Sequence, residues 1–293
     1  MGLPEEAGVA KIDNAQYYPS SDGLKLYYRE FGSDNSGTPV ICLPGLTRNS
    51  RDFEDLAIHM ASRRRVLTPD FRGRGYSEYD PNWKNYHPTT YVNDTWRLLD
   101  HLAIDTVLVI GTSLGGLCAM GMAATNANRL AGVIMNDIGP EVHSAGLDRI
   151  KEYTGRTKPV KNWDDAVQQT QELYGAWLPG LGEADWRKMA WKAYREGPDG
   201  VPRVDCDSNI GRAAREAEVL QADPWTLFAA LADIPTMLLW GEMSDILTRD
   251  IVDKMIAVKA DLDVIPIPNR GHVPLLDERE SLTAIDRFLD EVP

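Results

Sequence analysis

The chain has 293 residues, 43% of them hydrophobic, enough for a complete core and long enough for one large domain or a core with an insertion. A net charge of −13 works against nucleic acid or an anionic membrane surface as a partner, and no run approaches the roughly 20 apolar residues of a spanning helix. Cys42, Cys118 and Cys206 lie far apart without metal-ligand spacing, so packed, reduced thiols are expected, with no metal site and no cofactor.

Residues 1–13 are acidic and lack a long apolar segment, so they do not read as a signal peptide and a cytoplasmic protein is expected. Strands are predicted at 24–31 and 39–43, then a helix at 51–62 whose end carries Arg63, Arg64 and Arg65, where cations complement the helix dipole. A strand at 65–69, a helix at 89–101, a strand at 106–110, a helix after Ser113 and a strand at 130–136 follow. Short β-rich runs alternating with helices argue for parallel strands joined by crossover helices.

That alternation stops between about residues 140 and 223, where helix follows helix. Trp163, Val167, Thr170, Tyr174 and Trp177 recur at three- and four-residue steps behind Asn162 as N-cap, and a second helical pattern runs to a stop at Gly197. Strands at 236–240 and 264–267 and helices at 248–258 and 281–289 restore the alternation. The expected organisation is an α/β core from residues 1–139 and 224–293, interrupted by a helical cap over 140–223.

The segment Val-Ile-Gly-Thr-Ser-Leu-Gly-Gly-Leu (109–117) puts Ser113 at a strand-to-helix junction. A serine there is commonly an N-cap. Gly111, Ser113 and Gly115, however, fit Gly-x-Ser-x-Gly, in which glycines permit a turn sharp enough to lift the serine above the strand as a nucleophile. A serine nucleophile needs a base, and the base an orienting carboxylate. Of five histidines, His59 and His101 fall in helical patterns upstream and His87 and His143 are weaker candidates; His272, just past the last predicted strand, is the expected base. Asp245 and Asp137 each follow a predicted strand, and either keeps the order Ser, Asp, His. Asp70-Phe-Arg-Gly-Arg-Gly-Tyr-Ser77 lacks the lysine and spacing of a phosphate-binding loop and reads as a structural loop braced by Asp70, Arg72 and Arg74.

With these segments assembled, the chain resembles the α/β-hydrolase superfamily over nearly its whole length. Leu43-Pro-Gly-Leu-Thr47 resembles its oxyanion loop, Pro69–Ser77 the loop after its fourth strand, Gly-Glu-Met-Ser-Asp (241–245) its acid loop, and Gly-His-Val-Pro-Leu-Leu-Asp-Glu (271–278) its histidine loop. Pro44 departs from the pattern, since relatives commonly carry histidine before Gly45, so that loop must be braced otherwise. The resemblance implies a mostly parallel sheet of roughly eight strands flanked by helices, with a cap after the sixth. It also implies an oxyanion hole from the backbone N–H groups of Leu46 and Leu114, and Asp245 as the acid, with Asp137 the alternative. The serine argues against the branches with an aspartate nucleophile, the epoxide hydrolases and haloalkane dehalogenases.

The function implied is a serine esterase or lactonase forming an acyl-enzyme on Ser113. A carbon–carbon hydrolase of a vinylogous diketone using the same residues is the alternative, and a slowly hydrolysing small-molecule receptor is the alternative of another class. Tyr174, Trp177, Trp186 and Trp191 are candidate pocket walls favouring an apolar or aromatic group. His143, at the start of the insertion, could line that pocket, and Arg48 is either a carboxylate anchor or an exposed loop residue. The partner is then a small-molecule ester or lactone, and the protein a monomer or homodimer.

Overall fold

The computed structural model describes residues 16–216 and 223–292; the reading of residues 1–13 lies outside them. In chain order come β1 (Gln16–Pro19), β2 (Lys25–Phe31), β3 (Val40–Leu43), α1 (Glu54–Met60), β4 (Val66–Pro69), α2 (Pro88–His101), β5 (Val107–Thr112), α3 (Leu114–Asn126) and β6 (Leu130–Asn136). Then follow α4 (Ser144–Tyr153), α5 (Trp163–Tyr174), α6 (Glu183–Ala193), β7 (Tyr194–Glu196), β8 (Pro202–Val204), α7 (Asn209–Glu216) and α8 (Pro224–Ala229). The chain closes with β9 (Thr236–Gly241), α9 (Arg249–Val258), β10 (Asp263–Ile267) and α10 (Arg279–Glu291).

Eight strands form one sheet in the order β1-β2-β4-β3-β5-β6-β9-β10. Only the β1–β2 and β2–β4 pairs are antiparallel; from β4 to β10 all neighbours are parallel. Helices cover both faces of such a sheet, so its central strands are apolar throughout rather than alternating. In β5, Val107 and Val109 join the core on one face while Leu108 and Ile110 join the core on the other. Leu238 and Trp240 of β9 divide from Met237 and Leu239 in the same way.

The sequence reading did not anticipate β1, which pairs with β2 through a register of four residues. Nor did it anticipate β7 and β8; β7 stands where the second cap helix was expected to continue to Gly197. Gly197-Pro-Asp-Gly200 is a turn: the Gly197 N–H donates to Val201 O, the Gly200 N–H to Gly197 O, and Gly200 has φ of 75°. The helix therefore ends at Ala193 and the chain doubles back as a hairpin. Among the described residues, nothing between β6 and β9 joins the main sheet as a named strand.

The loop after β4 is the structural brace expected. Arg72 is fully buried, bidentate to Asp94 at 2.7 Å through both Nε and Nη2, and also bonded to Asp80 and Asp22. Arg63 and Arg65 pair with Asp290 and Glu30, while Arg64 donates to the Leu289 and Val292 carbonyls at the end of α10, so the basic run closes a helix remote in sequence. Among the described residues all three cysteines are free, and no helix is long and apolar enough to cross a membrane.

Asp70 carries this loop. Its carboxylate accepts the Ser50 N–H at 2.6 Å and the Tyr76 N–H at 2.8 Å, and a Cβ on Gly75 would sit 2.0 Å from Asp70 Oδ2. Complete burial pushes its pKa up to about 6, against the two backbone donors that pull it down. The folded protein therefore holds this proton up to about pH 6, whereas the unfolded chain releases it near the ordinary value of 3.8. Between those values the native state binds the extra proton, so the stability it confers is lost as pH rises through the folded pKa. The urea stability attributable to Asp70 should be about 1 kcal/mol greater at pH 5 than at pH 7.5; the wild-type-minus-Asp70→Asn difference should carry that slope, and a flat difference would contradict it.

Candidate active site

Ser113 stands between β5 and α3 with φ of 51° and ψ of −113°, a conformation that costs a non-glycine residue about 1–3 kcal/mol. Its neighbours make that turn the one that fits. A Cβ on Gly115 would meet Leu43 O at 2.0 Å, and one on Gly111 would meet the Gly115 carbonyl group at 2.5 Å, so α3 can start tight against the ends of β3 and β5 only where side chains are missing. The Ser113 side chain makes no cap hydrogen bond to its helix, which removes the N-cap reading.

Instead, Ser113 Oγ lies 2.9 Å from His272 Nε2, and His272 Nδ1 lies 2.8 Å from Asp137 Oδ2. His272 is 6% exposed and Asp137 fully buried. An ionised carboxylate only accepts, so Nδ1 carries the ring proton and Nε2 is left to accept the serine hydroxyl. His272 arrives on the loop after β10, which is tied down on both sides of it. The Gly271 N–H donates to Trp177 O at 2.7 Å, Asn136 Nδ2 donates to Pro274 O at 3.0 Å, and Glu278 accepts the N–H groups of Leu275 and Leu276.

The structure brings Asp137, the alternative, and not the expected Asp245 to His272. Asp245 forms a bidentate pair with Arg149 of α4 at 2.7 and 2.9 Å, and that guanidinium lies 4.9 Å from the centroid of the Trp177 ring. The reason is sheet order. β6 lies directly beside β5, with Thr112 opposite Asn136, so the residue following β6 emerges next to Ser113. Asp137 Oδ1 is held by the Gly241 N–H at the end of β9, and Ser244, one residue before Asp245, donates its hydroxyl to Asp137 Oδ2 at 2.6 Å. The loop after β9 thus supplies hydrogen-bond donors to Asp137 rather than a carboxylate to His272.

A family model described as the alpha/beta hydrolase fold matches residues 38–279. The chain belongs to the α/β-hydrolase family. A crystal structure of an alpha/beta hydrolase from Novosphingobium aromaticivorans is 42% identical and superimposes with a TM-score of 0.90, covering 95% of this chain and 98% of that one. The 3-hydroxybutyrate-oligomer hydrolase of Cupriavidus necator is 27% identical over 90% of this chain and 92% of its own. The 2-(acetamidomethylene)succinate hydrolase of Mesorhizobium japonicum is 25% identical over 91% and 92%.

In this α/β-hydrolase the loop carrying Leu46 is braced by a residue the sequence reading assigned only to the neighbouring loop. Arg74, fully buried, donates from Nε and Nη2 to Leu46 O at 3.0 and 2.8 Å and stacks over the Tyr91 ring. That clamp stands where Pro44 offers no side-chain donor. Leu46, Ser113 and His272 line one cavity of about 150 Å³ beneath α4, α5 and α6, and Leu114 opens α3 beside it.

Tyr174 and Arg48 line that cavity; Trp177, Trp186 and Trp191 do not. Trp186 is buried, Trp191 lies half-exposed with its ring 4.3 Å from that of Trp163, and Trp177 packs against Arg149 and Gly271. Trp163 and Trp191 join α5 to α6, and Trp177 joins α4 to the histidine loop. His143 is exposed at the start of α4 and outside the cavity. Arg48 is not an exposed loop residue: Nε and Nη2 grip Asp52 at 2.7 and 2.6 Å. Burial works to lower its pKa, but the Asp52 carboxylate outweighs it and holds the group above its ordinary value. Tyr153, Lys188, Lys192 and Asp277, none singled out from sequence, also line it, among aliphatic side chains such as Ile150, Leu178, Leu181 and Met189. The three- and four-residue periodicity of the cap marks its buried stripe but not which residues overhang the serine.

The two aspartates are separable by experiment. Asp137→Asn should lower kcat by about 10³–10⁴-fold, because the amide leaves His272 in the wrong tautomer, while Asp245→Asn should stay within about threefold of wild type and lose at most about 1 kcal/mol of stability. Steady-state kinetics on one ester decide it, and the reverse ranking would return the role to Asp245.

Proposed function

We propose that this hydrolase cleaves a carboxylic ester or lactone through an acyl-enzyme on Ser113. The observation that carries the reading is the unbroken hydrogen-bonded line from Ser113 Oγ through His272 to buried Asp137. His272 Nε2 takes the serine proton as Oγ attacks the carbonyl carbon. The tetrahedral intermediate collapses, and the leaving alkoxide receives that proton from Nε2. Water then adds to the acyl carbon, giving its proton to His272, which returns it to Ser113 as the acid leaves. Asp137 stays ionised, holding the ring's orientation and offsetting the charge of the imidazolium.

The backbone N–H groups of Leu46 and Leu114 serve as oxyanion donors in this reading, each worth about 2.7–4 kcal/mol of barrier. The Arg74 clamp on Leu46 O supports the pre-organisation such donors need. Residues 140–223 act as a cap that shelters the cavity from water. The lining sets a few charged groups (Arg48, Asp52, Lys188, Lys192) among aliphatic side chains (Ile150, Leu178, Leu181, Met189), which supports an ester with an aliphatic rather than an aromatic chain, in keeping with the name of the oligomer-hydrolysing relative.

A fluorophosphonate probe should label Ser113 stoichiometrically, p-nitrophenyl acetate should show a burst equal to the enzyme concentration, and Ser113→Ala should abolish labelling and lower kcat by roughly 10⁴–10⁶-fold. No label and no turnover by the wild type would favour a binding protein over an enzyme.

A further inference from the structure

The cavity at Ser113 is small for a substrate. Its volume of about 150 Å³ falls below the roughly 300–1,000 Å³ typical of small-molecule sites, and it holds little beyond the reacting group. A second cavity of about 390 Å³ lies between α4, α5 and the β7–β8 hairpin. The two share four lining residues, Thr47, Arg48, Tyr153 and Tyr174, which form the wall between them. Tyr153 and Tyr174 meet edge to face there, ring centroids 6.3 Å apart. The Arg48 edge that grips Asp52 is Nε–Nη2, which leaves Nη1 as a donor at this wall.

The second chamber's charge is one-sided. In a chain of net charge −13 its lining includes Arg48, Lys158 and Arg203 and no aspartate or glutamate among the described residues. Arg48 is neutralised by Asp52 and Arg203 by Asp199, neither of which lines this chamber. Lys158 is exposed and, among the described residues, forms no salt bridge. The shared wall presents an arginine edge, a threonine and two tyrosines, polar groups that suit a chain carrying repeated ester or hydroxyl oxygens.

We propose that this chamber seats the distal, carboxylate-bearing end of a linear ester acid, with Lys158 as its charge contact, while the scissile carbonyl lies at Ser113. The assignment rests on the ester-hydrolase reading and adds a substrate class to it: anionic, elongated esters such as short oligoesters of hydroxy acids, selected by charge at the far end.

The test uses linear 3-hydroxybutyrate trimer as the free acid and as its terminal methyl ester, with p-nitrophenyl acetate as a substrate that needs only the inner cavity. Wild type should favour the acid over the methyl ester by at least fivefold in kcat/KM. Lys158→Gln should reduce that ratio and Lys158→Glu should bring it to one or below. Leu173→Trp, which fills the chamber from α5, should lower the trimer-to-acetate ratio at least tenfold. Ratios on enzyme titrated with fluorophosphonate are insensitive to any misfolded fraction. A burst on acetate at Ser113 with no preference for the acid, or a preference untouched by Lys158→Glu, or parallel loss of trimer and acetate in Leu173→Trp, would overturn the chamber while leaving the hydrolase standing. Absence of any Ser113-dependent turnover would overturn both.

Discussion

The Asp137 carboxylate is the contact on which the rest of the site depends. It is fully buried, and burying an unpartnered charge costs several kcal/mol. Its oxygens are met by three donors from separate segments: the Gly241 N–H at the end of β9, the Ser244 hydroxyl in the loop beyond, and His272 Nδ1 after β10. Folding β6, β9 and β10 side by side is what supplies those donors. The same carboxylate thus reports correct assembly of one half of the sheet and orients the imidazole that faces Ser113.

A second set of buried charges does the corresponding work on the other side of Ser113. Arg72 is enclosed by three aspartates, Asp70 gathers backbone donors from two loops, and Arg74 reaches out of that cluster to hold Leu46 O. Charged groups in such places are poor sources of net stability. Their value is geometric, since each has few arrangements that satisfy all its hydrogen bonds. The loop bearing Leu46 is placed by them, and Ser113 by glycines that let α3 begin against β3. Two rigid constructions meet at the serine, one covalent in its constraint and one electrostatic.

Above this floor the cap is built differently. Indoles and small helices pack with one another, Arg149 links α4 to Asp245, and Trp177 O holds the Gly271 N–H of the histidine loop. The cap and the base are therefore coupled through one backbone hydrogen bond, and the charge pattern beneath the cap differs between the inner cavity, where both signs are present, and the outer chamber, where only cations are.

Much of this was legible in the order of residues. The strand and helix alternation, the break in it over 140–223, the glycine pattern around Ser113 and the position of His272 past a strand are local features, set by periodicity and by backbone conformations that only certain residues adopt. The choice between Asp137 and Asp245 was not local. Both follow strands, and which one reaches His272 depends on β6 lying next to β5 with β9 beyond it, a neighbour relation no segment encodes by itself. The same holds for Arg74 on Leu46 and for the tryptophans, whose helical spacing marks a packed face without saying what that face covers. Sequence alone determined most of the elements and the sharp turn that presents Ser113, because those follow from short-range sterics and patterning. Tertiary structure alone decided which aspartate meets His272, what braces the Leu46 loop and which residues line the cavity, because each is a contact between segments brought together only when the sheet closes.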